Sequence, residues 1–163
     1  MQLTELLLPA AILACGCTPA EPRALLGAGE FEWEELEPGD EHEIIQGPQG
    51  GFHLLASVRV GGVEPGDPDD LEDPNNPTVR FDVLVDGASR SATGEFTQGL
   101  ESTPPDASTW THQVVGRFAI LDITDDDELH GETAELTVEV RDVAGLVVTD
   151  ALELELVRHP LNP

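Results

Sequence analysis

From about residue 30 onward, apolar and polar positions alternate with a period of two. In "AELTVEVRD", Ala134, Leu136, Val138 and Val140 share one face, while Glu135, Thr137, Glu139 and Arg141 share the other. "LELELVR" groups Leu152, Leu154 and Leu156 against Glu153 and Glu155. "FHLLASVRV" turns Phe52, Leu54, Ala56, Val58 and Val60 one way, and "VRFDVLVDG" does the same with Val79, Phe81, Val83 and Val85. Successive side chains of a strand point to opposite faces, so each stretch predicts a strand with one face packed and one wet. "VVGRFAILDI", Val114 to Ile123, is apolar on both faces and predicts a central strand.

Turn signals separate these runs: Pro38-Gly39-Asp40, the glycine-rich stretch 47–51, Asp86-Gly87, Pro104-Pro105-Asp106 and Ala144-Gly145. Strands are predicted near residues 30–36, 41–46, 52–60, 78–86, 92–98, 112–123, 132–142 and 147–158. The predicted fold class is all-β: an immunoglobulin-like antiparallel β-sandwich of about seven or eight strands spanning residues 30–163. The cysteine pair and central tryptophan of a true immunoglobulin domain are missing, so the term describes architecture only. "VEVRDVAGLVVTDALELEL" resembles the last hairpin of bacterial Ig-like and fibronectin-type modules, with Asp142 and Gly145 in its turn.

The first residues break the pattern. An apolar run from Leu6 to Ala14 ends in "ACGC", and its length suits the h-region of a signal peptide and is too short for a membrane-spanning helix. "ILAC" and "ACGC" resemble the lipobox of bacterial lipoproteins, in which the cysteine is acylated and becomes the new amino terminus. That resemblance makes Cys15 or Cys17 the lipidated residue, residues 1–17 a signal peptide and residues 18–29 a flexible tether. It implies export and membrane attachment through lipid, in a Gram-negative host usually at the outer membrane. "GPQGGFHLLASVRV" followed by an acidic loop is similar to lipoproteins of GC-rich Gram-negative bacteria, a likeness that names no activity. Met1 to Glu5 carries an acid and no Lys or Arg, unlike an ordinary signal peptide. An acidic cytoplasmic interaction domain without lipid is therefore the rival reading.

Charge narrows the partners. The chain carries 33 acids against 7 basic residues, for a formal charge of −26. Such a surface repels phosphate backbones and anionic headgroups, which excludes nucleic acid and leaves a protein partner or a cation. One acidic, proline-rich stretch invites a metal reading: "GDPDDLEDPNNP", residues 66–77. An EF-type calcium loop needs oxygens at positions 1, 3, 5, 7, 9 and 12 and glycine at 6. Counting from Asp67 puts Leu71 fifth and Glu72 sixth; counting from Asp73 puts Pro77 fifth. The expectation is a stiff, extended, solvated loop. A loose calcium site on Asp67, Asp69, Asp70 and Asp73 stands as the alternative, and with it a calcium- or transition-metal-binding envelope module. Asp125-Asp126-Asp127-Glu128 fails the same register and would add to a site only if the two acidic loops met at one end of the sandwich.

The histidines, 42, 53, 112, 130 and 159, show no HxH, HxxxH or HExxH pairing and are expected at the surface or supporting turns. If the strands around 47–51 form a hairpin, His42 and His53 would face each other across it. No serine lies in a GxSxG context and no phosphate-cradling glycine motif occurs, so no catalytic residue and no cofactor is assigned. The sequence predicts a non-catalytic binding or structural module.

Overall fold

The computed structural model describes residues 21–92, 94–107 and 109–162. Eleven strands follow in order: β1 (Arg23–Ala28), β2 (Glu34–Glu35), β3 (Glu41–Gln46), β4 (Phe52–Gly61), β5 (Thr78–Val85), β6 (Ala88–Ser89), β7 (Phe96–Thr97), β8 (Glu101–Ser102), β9 (His112–Ile120), β10 (Thr133–Arg141) and β11 (Val147–Arg158). The only helical pieces among the described residues are two short 3₁₀ turns, Pro105–Ala107 and Asp126–Glu128. The fold is all-β, as the period-two alternation predicts.

Hydrogen bonding sorts the strands into two antiparallel groups. The first is β2–β1–β4–β9–β8. The second is β11–β10–β5, with β6 and β7 on the far edge of β5. Strand β3 belongs to both. Its Ile45 and Gln46 pair with His53 and Phe52 of β4, while residues 41–44 run parallel to residues 155–158 of β11. The strands thus join into one open, mixed assembly.

The inward residues of both groups form one apolar cluster, in which Leu54, Val58 and Val60 of β4 meet Phe81, Val83, Leu136, Val138, Leu154 and Leu156. Every residue expected inward on β4, β5 and β10 is buried; on β11 Leu154 and Leu156 are buried and Leu152 is half-buried. Each fully buried Val, Leu or Phe contributes about 1.5–3 kcal/mol of transfer free energy. No internal disulfide is needed to account for cohesion on this scale.

Three expectations are corrected. The tether expected at 18–29 contains strand β1, which pairs with β4 from Arg23↔Gly61 to Gly27↔Ser57. "RALLGA" alternates too: Leu26 and Ala28 are buried on the inner side. On the opposite face Gly27 lies under the Trp33 ring, where a Cβ would stand 2.5 Å from it. The strand expected near 30–36 shrinks to β2, and that near 92–98 shrinks to β7.

The third correction concerns β9. It is not central: β8 pairs only with His112 and Gln113, and a single bridge, Ser91↔Leu121, lies beyond its other end. Phe118 and Ile120 are 53% and 40% exposed, so its second apolar face is wet. A bulge interrupts its pairing with β4, between Ala56↔Arg117 and Val58↔Val114. Gly116 supplies the left-handed residue there, at φ +69°, with no room for a side chain because a Cβ would meet the Glu30 carbonyl oxygen at 2.0 Å. The fully buried Ser57 hydroxyl accepts from the Gly116 N–H (3.1 Å) and donates to the Gly29 carbonyl (3.5 Å).

Candidate functional site

Acidic groups gather in three places, and the chain gives each a different environment. The first is the loop 66–77. It is wound into three consecutive turns of three residues each, which corrects the expectation of an extended loop. Asp70 N–H donates to the Asp67 carbonyl (3.3 Å), Asp73 to Asp70 (3.2 Å) and Asn76 to Asp73 (3.1 Å). Within each turn the leading Asp carboxylate accepts the N–H two residues on: Asp67 from Asp69 (2.9 Å), Asp70 from Glu72 (3.0 Å) and Asp73 from Asn75 (2.8 Å). Asp at the first turn position and Pro at the second favour this geometry. Buried Asn76 closes the loop: its amide oxygen accepts from Asp67 N–H (2.8 Å) and its NH₂ donates to the Asp70 carbonyl (2.7 Å).

Of the residues expected to hold calcium, Asp67, Asp70 and Asp73 thus each direct a carboxylate oxygen at their own backbone, and Asp69 is exposed. Cys15 and Cys17 lie outside the described residues.

The second place is Asp125-Asp126-Asp127, whose carboxylates offer ligand atoms within 4.8 Å of one another. A cation already stands there. Arg158 donates from Nε to buried Asp126 (2.9 Å) and reaches Asp127, and Asn162 adds a bond to Asp126 (2.7 Å). Burial opposes ionisation of Asp126, but the bonds from Asn162 and Arg158 outweigh it and hold its carboxyl below the usual range. Glu128 accepts the Thr124 N–H (2.8 Å) and hydroxyl (3.0 Å), which lower its pKa, with Arg90 nearby at 3.3 Å. This is a clamp on the C-terminal residues.

The two acidic runs do not meet. The loop 66–77 leads into Thr78, opposite Arg141 at the end of β10, whereas the Asp125–Asp127 cluster holds Arg158, beyond the Thr133↔Glu155 pair at the start of β10. The nine residues of β10 separate them by about 25–30 Å. A joint cation site is excluded by the topology.

The third place was not legible as a site. Strand β3 leaves β4 after the Ile45↔His53 pair, and a cleft of about 540 Å³ opens between β3 on one side and the β1–β2 connection on the other. Glu30, Glu34 and Glu35 line one wall, and Glu41 and Glu43 the other. His42 lies within it, only 7% exposed, with Nε2 at 2.8 Å from the Leu55 carbonyl. Burial pushes the His42 pKa down, while the Leu55 bond and the charges of Glu43 and Glu34 pull the other way. His42 does not face His53, because its partner in register is Leu156 of β11. Nor is it a surface residue: it shares the inner phase with Ile44, a signal present in "EHEII".

His53 is half-buried and packs against Phe118 with ring centroids 4.2 Å apart. Burial lowers the pKa of His53 and also that of His112, the latter opposed by Glu64. Both tryptophans are half-buried beneath arginines: Arg59 stands 4.6 Å over Trp33, and Arg23 4.3 Å over Trp110. Comparison with family models, curated proteins and solved structures gives no match.

Proposed function

We propose that this protein is a lipid-anchored, non-catalytic binding module displayed on a bacterial envelope, built as an immunoglobulin-like sandwich. The observation that carries the reading is the apolar run Leu6–Ala14 closing on Cys15 and Cys17. Ordered structure in strand β1 from Arg23 suits it, because a folded domain would then follow the acylated cysteine after a short polar spacer. The sandwich reading draws support from β3, which pairs with both strand groups across one apolar cluster. The binding reading draws support from the loop 66–77, which is internally tied and presents Leu71, 70% exposed, among carboxylates. Long ordered loops in compact domains are commonly functional. A protein partner with a basic, partly apolar surface fits that chemistry.

Metabolic labelling with a radioactive fatty acid tests the anchor. The wild-type chain takes up label, and the Cys15→Ser/Cys17→Ser protein takes up none. Label retained by that variant overturns the assignment. An unlabelled wild type supports the rival, a cytoplasmic acidic interaction domain, which the acid at Glu5 and the lack of a basic residue before it favour.

A further inference from the structure

The β3 cleft runs into an apolar face that the fold leaves open. Ile45 of β3 stands opposite His53 of β4, which stands opposite Ile120 of β9; two residues along β4, Leu55 stands opposite Phe118. The residues between them, Ile44, Leu54, Ala56 and Ala119, are buried in the core, so this set turns to the outer face. Ile45 and Leu55 also line the cleft, with Val157 of β11 beside them. The Glu30 carbonyl, close over Gly116, sets the β1–β2 connection against the same side of β9, and Phe31, 84% exposed, follows on that connection. Exposed apolar surface that is contiguous over three strands and bordered by charge marks an interaction site.

The border decides what docks. Glu30, Glu34, Glu35, Asp40, Glu41 and Glu43 line the cleft, and no Lys or Arg does. Among the described residues only Glu43 of these six meets a group able to carry positive charge, the His159 ring at 3.6 Å. His42 adds an acceptor. A carbonyl oxygen only accepts, so the 2.8 Å contact with Leu55 puts the ring proton on Nε2 and leaves the lone pair on Nδ1. The lining side chains thus offer apolar surface and acceptors, and a complementary partner must bring apolar groups and cationic donors.

We propose that the β3 cleft and the adjoining face of Ile45, Leu55, Phe118 and Ile120 dock a peptide segment of a protein partner in which apolar and basic residues alternate. Lys and Arg carry their charge on long apolar stems, so they reach the glutamates at the rim while the apolar residues between them sit on the floor. A volume of about 540 Å³ suits a few side chains rather than a folded domain. A second copy of this chain would set the same carboxylates face to face in a protein of net charge −26, and anionic lipid is repelled likewise. The proposal rests on the reading of this chain as a binding module and not on its acylation. It also places docking away from the loop 66–77, which lies at the Arg141 end of β10, whereas β3 runs beside residues 155–158 of β11 at the other end.

The test is calorimetry of the full chain with the peptide Leu-Lys-Leu-Lys-Leu-Lys, against Ser-Lys-Ser-Lys-Ser-Lys and Leu-Glu-Leu-Glu-Leu-Glu, with amide shifts followed by NMR. One saturable site for the leucine–lysine peptide is expected, at least about tenfold tighter than for either control, with shifts concentrated at Ile45, Leu55, Phe118 and Ile120. Phe118→Ser/Ile120→Ser should weaken it at least about tenfold. Glu34→Gln/Glu35→Gln should weaken it and flatten its salt dependence. Glu135→Gln/Glu153→Gln, the same charge change at exposed positions of β10 and β11, should leave both nearly unchanged. The shift map on the parent protein decides the location even where a serine variant does not fold. Absence of binding overturns the proposal, as does equal weakening by the two glutamine pairs, which would mean diffuse attraction to an acidic chain. Binding lost in Leu71→Ala and kept in Phe118→Ser/Ile120→Ser overturns this site and leaves the module reading standing on the loop 66–77. A dimer in sedimentation that Phe118→Ser/Ile120→Ser dissolves would make a second copy the occupant and overturn the peptide.

Discussion

Single side chains explain most of what the acidic stretches do. In the loop 66–77 the repeating unit is Asp-Pro-Asp, Asp-Leu-Glu, Asp-Pro-Asn, and each leading aspartate caps its own turn. That unit is visible in the sequence as an Asp at every third position, twice followed by proline. Comparison with calcium-loop spacing passes over it, because that comparison asks where carboxylates converge and ignores the backbone N–H groups beside them. Asn76 is the residue on which the three turns depend. Asn76→Ala removes an acceptor from the Asp67 N–H and a donor from the Asp70 carbonyl, in a part-buried setting. Leaving such groups unpaired costs about 1–3 kcal/mol each, so the variant should lose about 2 kcal/mol or more in a denaturant titration. Leu71→Ala, on the same loop but exposed, should stay within about 0.5 kcal/mol of the parent. His42 is only partly legible in the sequence. Its inner phase with Ile44 is legible, but the cleft beside it depends on where β3 parts from β4, and no local pattern encodes that.

At the level of elements, the alternating strands were legible and the exceptions share a cause. Strands β4, β5, β10 and β11 each bury one face, and for these the period of two is decisive. Strand β9 carries apolar residues on both faces, which signals a central position only when both faces and both edges are covered. Here the bulge at Gly116 lets Arg117 share the inner side with Ala56, where its guanidinium stands 5.4 Å over the Phe96 ring of β7. An inward-turned charge on a partly open edge is a known barrier to edge-to-edge pairing, and it also leaves Phe118 on the wet face. Strand β1 is not legible in the sequence because its six residues offer too little alternation to separate from a tether. The bulge is the feature to perturb. Gly116→Ala forces a side chain into a left-handed conformation and against the Glu30 carbonyl. A loss of about 2 kcal/mol or more is expected from combined strain and clash, with the β9 amides nearest the bulge losing hydrogen-exchange protection first. A Gly116→Ala protein as stable as the parent would remove the bulge from its structural role.

Across the whole molecule the decisive quantity is the imbalance of charge. All seven basic residues are arginines, and each has a local partner. Arg23, Arg59 and Arg117 lie over Trp110, Trp33 and Phe96, and Arg80, Arg90, Arg141 and Arg158 meet carboxylates. Those ion pairs are mostly exposed and worth little individually, so the net −26 is felt as repulsion among carboxylates. Raising NaCl from about 10 mM to about 1 M shortens the Debye length from roughly 30 to 3 Å, and the melting temperature at pH 7 should rise. A fall would mean that the ion pairs outweigh the repulsion. Acid acts through different groups. His42, His53 and His112 have folded pKa values below the ordinary 6.5, so beneath that pH the unfolded chain binds more protons than the folded one. Stability from these histidines is complete above about pH 6.5 and is lost as the pH falls toward their folded values. Asp126 and Glu128, also lowered, extend the loss below about pH 4. Protonation of the remaining carboxylates relieves repulsion and works the other way, which is why the melts belong in high salt. There the repulsion is screened, and the decline between pH 7 and 5 should stand alone and be shallower in His42→Gln, which has no proton to take up on unfolding. An identical slope in the two proteins would show that His42 is not protonated on unfolding and would separate its burial from any pH response of the fold.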